Sequence, residues 1–162
     1  MTDFAMIDES TTGVPLDTPG VATFYVVPWT LETVNHSSGK TTLVACRYYD
    51  DQWNQIESGT PMQSGAAFFQ LAQRATTQGG NEKPPAELDL TLVSAVAKTL
   101  NSACNLDNSF IAAGKPKATW LIIPVMPDTK RGVILVFRSP ADGDKVDYLV
   151  ATSDPEIKNG SN

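Results

Sequence analysis

Short apolar runs alternate with turn-forming residues in the C-terminal third of the chain. Residues 120–126 and 133–137 are continuous apolar runs, and their length and β-branched content favour strands over buried helices. Residues 127–132 begin with Pro-Asp and end with Gly, an order typical of a type I turn followed by a left-handed residue. A third run, residues 146–151, follows an Asp-Gly pair, which is a strong hairpin signal. The pattern predicts a three-stranded antiparallel meander.

The first two meander strands are apolar on both faces. One face of each carries a set that we interpret as an interaction surface: Trp120, Ile122, Met126, Val133, Leu135 and Phe137. A strand that is apolar on both sides is normally covered on both sides. We therefore expect helices to cover one face, and a terminal arm, a second subunit or another partner to cover the other. Pro124 cannot donate to a strand ladder and predicts a bulge or a sheet edge.

Two further strands are predicted near the N-terminus. Residues 21–29 form an apolar run that Pro28 ends or bulges, and residues 42–49 form a second run. The polar residues 35–39 between them include a glycine. Two strand patterns joined by such a turn predict a β-hairpin.

The middle of the chain predicts two helices. Thr60 and Pro61 suit the N-cap and first position of a helix over residues 60–78, in which Phe68, Leu71, Ala72 and Ala75 form one apolar stripe. A second helix is predicted over residues 86–104, with a stripe of Leu88, Leu92, Val96 and Leu100. Leu88, Leu90 and Leu92 also alternate, so the first turns of this segment fit a strand as well.

These elements predict an α+β fold with the order β-β-α-α-β-β-β, in which two helices pack on one face of an antiparallel sheet of about five strands. The order is similar to that of PAS-like sensor domains and of profilin-like or roadblock-like adaptor modules, in topology alone. The predicted organisation is a flexible arm over residues 1–20, a single domain over 21–152 and a flexible tail over 153–162.

Composition and charge narrow the class of protein. The 162 residues, 41% of them hydrophobic, fit one domain with its own core. The net charge of −6 and the scattered basic residues argue against a nucleic-acid partner. No apolar run approaches the length of a membrane span, and the first residues are acidic where a signal peptide is basic. We expect a cytoplasmic protein, which could later join a particle.

Few residues offer catalytic or metal-binding chemistry. His36, the only histidine, lies in a predicted turn, and Cys46 and Cys104 are far apart in sequence, so we predict neither a metal nor another cofactor. Whether the two cysteines meet in space is left open. The one carboxylate pair that could catalyse hydrolysis is Asp50 and Asp51.

The sequence favours a non-enzymatic protein-interaction or assembly module, an adaptor or a structural component of a particle such as a virion. It would bind itself or another protein through the meander surface and through Phe4, Met6 and Ile7 of the arm. A first alternative is a small-molecule sensor with an apolar pocket between helices and sheet, lined by Phe68, Phe69, Leu121 and Tyr148. A second is a hydrolase that uses Asp50 and Asp51.

Overall fold

The described part of the chain is entirely β. A computed structural model describes residues 13–75, 77, 82–86, 88–99, 108–112, 120–139, 148–152 and 155–160. These ranges contain eleven strands and no helix. The strands are β1 (Val21–His36), β2 (Gly39–Tyr49), β3 (Gln55–Ile56), β4 (Met62–Ser64), β5 (Phe68–Gln73), β6 (Thr91–Thr99), β7 (Asn108–Ala112), β8 (Trp120–Pro124), β9 (Lys130–Ser139), β10 (Tyr148–Ala151) and β11 (Glu156–Asn159).

The strands form two layers of one hydrogen-bonded network. In the first layer β1 lies between β2 and β5, β8 pairs with β5, and β3 pairs with β2. In the second layer β9 pairs with β6 on one side and with β10 and β11 on the other, β7 extends β6, and β4 extends β11. The only strand pairing between the described parts of the two layers joins Leu43 of β2 to Ala151 of β10.

The inner faces of the two layers pack on each other. Alternate residues of each strand point to one face, so each layer presents a continuous apolar surface. The rings of Phe24 and Phe69, for example, stack with centroids 5.3 Å apart. The shared core comprises Phe24, Val26, Val44, Phe69, Leu71, Leu121 and Ile123 from the first layer and Met62, Leu92, Ala95, Ala97, Val133, Leu135, Phe137, Val150 and Ile157 from the second, with Leu90 and Val125 beside them.

Two polar side chains, half-buried Gln73 and buried Arg131, also connect the layers. The amide of Gln73 in β5 donates a 2.6 Å hydrogen bond to the carbonyl oxygen of Leu90 and accepts one of 2.7 Å from the N–H of Leu92. Arg131 in β9 donates to the carbonyl oxygen of Pro124 at 2.6 Å. These bonds satisfy backbone groups that lack a strand partner where the layers separate.

The predicted helix over residues 60–78 is wrong. The segment forms β4 and β5, and Thr60 closes a turn by donating its N–H to the carbonyl oxygen of Glu57. In β5 the side chains of Phe69 and Leu71 face the core while Gln70 and Ala72 face outward. Six residues are too few to separate a period of 2 from one of 3.6, and pairing with β1 and β8 decides for the strand.

The predicted helix over residues 86–104 is also wrong within the described residues, where β6 replaces it. A bulge between Leu92 and Ser94 explains the misleading pattern. The extra residue shifts the phase, so that Leu92 points inward before the bulge and Ala95 and Ala97 point inward after it. The spacing of Leu92 and Val96 then resembles a helical stripe, although Val96 lies on the outer face of a strand.

The strand connectivity also differs from the predicted antiparallel meander. β9 and β10 pair antiparallel as expected, but β8 pairs with β5 in the other layer and not with β9. Three strand pairs are parallel, β1 with β5, β2 with β10 and β4 with β11, so the sheet is mixed. The α+β fold with an antiparallel sheet is therefore corrected to an all-β fold with a mixed sheet.

Two prolines lie where the sequence predicts an irregularity or an edge of the sheet. The register of β1 and β2 shifts between Pro28 and Thr30, which confirms the bulge expected at Pro28. Pro124 ends β8, which pairs with β5 alone among the described strands, as an edge position requires.

Residues 153–162 are predicted as a flexible tail, yet β11 forms there and buries Ile157 in the core.

Adjacent residues of β9 should respond very differently to truncation. Leu135 is fully buried and Ile134 is 41% exposed on the opposite face. We expect Leu135→Ala to lower the free energy of unfolding by about 2–5 kcal/mol because it leaves a cavity. Ile134→Ala should cost about 1 kcal/mol or less. Urea denaturation of both variants measures the difference, and equal losses would contradict the observed register of β9.

Candidate functional site

The outer face of the first layer is covered by the protein's own residues. Tyr25, Val27, Tyr49 and Ala72 form a second buried cluster there, with Trp29, Trp53 and Trp120 packed around it. The ring of Trp53 stacks on Tyr25 with centroids 4.3 Å apart. Two arginines lie over aromatic rings at the border of the cluster, Arg47 over Trp29 at 3.6 Å and Arg74 over Tyr25 at 5.0 Å.

The turn after β2 holds Trp53 in this position. The carboxylate of Asp50 accepts hydrogen bonds from the N–H groups of Gln52 and Asn54 and from the Asn54 side chain, at 2.8–2.9 Å. Trp53 adopts a left-handed φ of 65°, which the turn stabilises. Burial acts to raise the pKa of Asp50, but the hydrogen bonds from Asn54 and Gln52 outweigh it and lower the pKa.

Asp50 is therefore a turn residue whose carboxylate is already occupied by three donors. A general acid needs the opposite, a raised pKa and a free oxygen facing a cleft. Asp51 beside it is exposed. The geometry gives the carboxylate-hydrolase hypothesis no support.

The segment before β1 covers the remaining part of the same outer face. The side chain of Gln70 in β5 is fully buried, accepts the N–H of Val14 at 2.7 Å and donates to the carbonyl oxygen of Val14 at 3.1 Å. The amide of Gln70 thus acts like a strand partner for Val14. Gly13 has a φ of 65°, and a Cβ there would lie 2.9 Å from the ring of Trp120. The beginning of the described chain is closely packed on β5 and β8.

No such cover on the outer face of the second layer is found among the residues that the structure describes. Val96 in β6, Ile134 in β9 and Leu149 in β10 are 42%, 41% and 68% exposed. The register places them on three adjacent strands and on one face, together with half-buried Val136. We call these four residues the outer apolar face. Exposed apolar clusters of this kind mark sites of interaction with other proteins more often than isolated exposed residues do.

The structure divides the interaction residues expected from the sequence into three groups. Val133, Leu135 and Phe137 are in the shared core and cannot contact a partner. Trp120 and Ile122 are half-buried on the outer side of β8, and Met126 is 67% exposed after it. These six residues do not form one surface, because β8 and β9 belong to different layers. The remaining three, Phe4, Met6 and Ile7, lie outside the described residues.

The residues that form the outer apolar face were missed for a reason visible in the sequence. Ile134 and Val136 do alternate with the residues chosen, but alternation alone does not say which face of a two-faced apolar strand lies inside. Val96 was assigned to a helix because it falls in the four-residue stripe with Leu88, Leu92 and Leu100. Leu149 was assigned to no surface.

The hairpin of β1 and β2 projects beyond the layers. Every residue from 31 to 42 is exposed, including Leu31 and Val34. We call this part of the hairpin the ribbon. His36 at its tip shares hydrogen bonds with the hydroxyl groups of Ser38 and Thr41, at 2.9 and 2.8 Å. These contacts stabilise a turn on the surface and do not align a nucleophile in a cleft.

A cavity of about 390 Å³ lies where β2 separates from the second layer, and we call it the fork cavity. One wall of the cavity is the edge of β2. The turn after β3 borders one end, and Thr152 and Pro155, between β10 and β11, border the other. Met62 also contributes to the lining. The lining residues are Glu32, Val44, Ala45, Cys46, Arg47, Tyr48, Gln55, Ile56, Glu57, Ser58, Gly59, Thr60, Met62, Thr152, Pro155 and Glu156.

The residues expected to line a sensor pocket do not surround a common cavity in the described part of the chain. Phe69 and Leu121 are fully packed in the shared core. Phe68 borders a shallow surface recess of about 330 Å³ with Pro124 and Met126. The side chain of Tyr148 is outside the described residues.

Metal and membrane sites receive no support from the described ranges. Within them, no group of three or more His, Cys, Asp and Glu side chains is placed to hold a metal ion. No helix that could cross a membrane occurs among the described residues. Comparison of the chain with protein families, with curated proteins and with solved structures finds no match.

Truncation of Gln70 should loosen the segment before β1. Gln70→Ala removes both hydrogen bonds to Val14 and a third, of 3.2 Å, to the hydroxyl group of Thr23. We expect the free energy of unfolding to fall by about 1–3 kcal/mol, because backbone groups lose their partners. Gln52→Ala is the matched control at an exposed site and should change stability by about 0.5 kcal/mol or less. Equal effects of the two changes would argue against the anchoring role of Gln70.

Cys46 should react slowly with alkylating reagents. Burial raises the pKa of its thiol from 9.0 to about 12, although a hydrogen bond with Tyr48 acts in the opposite direction. At pH 8 the thiolate population is then about 1,000-fold smaller than that of an ordinary cysteine. We expect iodoacetamide to modify Cys46 in a Cys104→Ser variant far more slowly than it modifies free cysteine, with the rate rising tenfold per pH unit up to pH 11. A rate that levels off near pH 9 would contradict the raised pKa.

Proposed function

We propose that the protein is a non-enzymatic assembly module that binds a second copy of itself through the outer apolar face. The observation that carries the proposal is the exposure of Val96 and Ile134, which are opposite each other on β6 and β9, and of Leu149, which lies on the same face of β10 opposite Arg138. Burying such side chains against another apolar surface is favourable by about 25 cal/mol for each Å² removed from water.

The arrangement of polar residues around this face supports an interface. Arg138 lies at one end of the same face of β9, and Lys130 lies at the other end, where it pairs with Glu156 at 2.6 Å. Between them Val96, Ile134 and Val136 form the apolar part, with Ser94 and Ala151 beside Val136, and Lys98 lies opposite Gly132 toward the end marked by Lys130. An apolar centre with a charged rim is typical of protein interfaces.

The size of the face suits a partner with a similar sheet. The nine residues of β6, at about 3.3 Å each, give a length of about 30 Å, and four strands spaced by about 4.8 Å give a width of about 19 Å. The resulting footprint of about 570 Å² is of the same order as the roughly 800 Å² that each partner buries in a standard interface. A second copy offers a matching flat apolar surface, and two such sheets can pack face to face.

The different treatment of the two outer faces is further support. The first layer is covered by Trp53 and by the segment at Gln70, both from the same chain. The second layer leaves its aliphatic side chains exposed among the described residues. The exposed ribbon, with Leu31 and Val34, offers an additional contact, since an isolated two-stranded hairpin is only marginally stable in water.

Substitution of the outer apolar face should abolish self-association. We expect the wild-type protein to be larger than a monomer by light scattering, and Ile134→Lys or Leu149→Lys to be monomeric, because a desolvated lysine without a partner opposes burial. Met126→Lys is the control, since Met126 is equally exposed but lies outside this face. Circular dichroism should show that all three variants are folded.

The dependence on salt adds a second criterion. Copies with a net charge of −6 repel each other, and salt screens that repulsion while it leaves apolar contacts in place. Association should therefore strengthen from about 50 to 500 mM NaCl, a range over which screening of surface charges increases strongly. A wild-type protein that remains monomeric at all salt concentrations, or an oligomer unaffected by both lysine substitutions, would contradict the proposal.

A further inference from the structure

The fork cavity exposes a stretch of unpaired strand edge. On the side away from β1, β2 pairs with β10 at Leu43 and with β3 at Tyr48. No described strand pairs with the four residues between these positions, which line the cavity. Alternate residues along a strand edge point both their N–H and their C=O groups away from the neighbouring strand, so this edge offers carbonyl oxygens as well as N–H groups to whatever enters the cavity.

The charged side chains around the cavity are predominantly acidic. Glu32, Glu57 and Glu156 line it, and only Glu156 has an ion-pair partner among the described residues, Lys130 at 2.6 Å. The single basic lining residue is Arg47, whose guanidinium is bound 3.2 Å from Glu82 and lies 3.6 Å from the centre of the Trp29 ring. Neither Glu82 nor Trp29 lines the cavity. Two carboxylates therefore remain without a compensating charge.

The remaining lining suits a ligand with an apolar stem. Half-buried Ile56 provides accessible aliphatic surface, with the buried side chains of Val44 and Met62 behind it, and the volume of about 390 Å³ falls within the range of about 300–1,000 Å³ common for small-ligand sites. Lysine-like and arginine-like groups combine a cationic head with an aliphatic stem of this kind. Carbonyl and carboxylate oxygens are acceptors, and guanidinium and ammonium groups are pure donors.

We propose that the fork cavity binds a guanidinium or ammonium group on an alkyl stem, with the stem against Ile56 and the head near Glu32 and Glu57. The group belongs either to a free small organic cation or to a basic side chain of a peptide. This site is separate from the outer apolar face and does not depend on self-association.

Calorimetric titration with three probes tests the proposal. The probes are L-argininamide, the capped peptide acetyl-Gly-Arg-Gly-amide, and citrulline amide, which replaces the guanidinium by an uncharged urea of the same shape. We expect one or both arginine probes to bind, and citrulline amide to bind at least tenfold more weakly. Binding of argininamide alone assigns a free cation as ligand, and binding of the peptide alone assigns a peptide side chain. Both results support the cationic site.

Variants of the lining carboxylates locate the binding. Glu32→Gln and Glu57→Gln should each weaken the arginine probe about 3- to 10-fold, since each removes one charge from a partly exposed site. Asp89→Asn removes one exposed charge elsewhere and should change the affinity less than twofold. Amide chemical shifts of residues 44–47 and 57–60 should move on titration of the wild-type protein. Equal binding of citrulline amide, equal effects of the three variants, shifts confined to other residues, or no binding of either arginine probe would overturn the proposal.

Discussion

Packing of the inner faces of the two layers is the interaction on which the rest of this structure depends. Only one strand pairing, between Leu43 and Ala151, joins the described parts of the layers, so hydrogen bonding between strands cannot hold them together. The shared core does so, with Phe69, Phe137 and Leu135 among its fully buried side chains. Gln73 and Arg131 reinforce it by satisfying backbone groups at the junction.

This arrangement leaves one outer face on each layer, and the two outer faces differ in how they are covered. Once the inner faces are paired, each layer still has a second face, and β1, β5, β6 and β9 are apolar enough to need cover there. In the first layer this cover is provided by Trp53 and by the segment anchored at Gln70. It requires a left-handed backbone conformation at Trp53 and the complete burial of the Gln70 side chain. The second layer exposes Val96, Ile134 and Leu149, and we propose that self-association buries them.

The same separation of the layers produces the fork cavity. β2 remains with β1 while β10 and β11 follow β9, which leaves a gap between Leu43 and Tyr48 on the free edge of β2. Unpaired edges are usually blocked by charge, by a short strand or by a covering loop. Here the short β3 blocks one end and the turn from Glu57 to Thr60 borders the gap, so the edge faces a partly open cavity lined by glutamates.

The sequence by itself determined five of the eleven described strands. Five predicted strands are present, and the bulge at Pro28 follows from the missing N–H of proline. Tertiary structure alone decided the rest. Residues 68–73 became a strand because β1 and β8 flank them, and the bulge beside Ser94 imitated a helical period in β6. The sequence pattern of β9 shows that both of its faces are apolar. Only packing against the first layer decides that Leu135 is buried in the core and Ile134 is exposed. The sequence of a strand that is apolar on both faces does not show which face will pack against the other sheet, because the backbone geometry is the same for either choice.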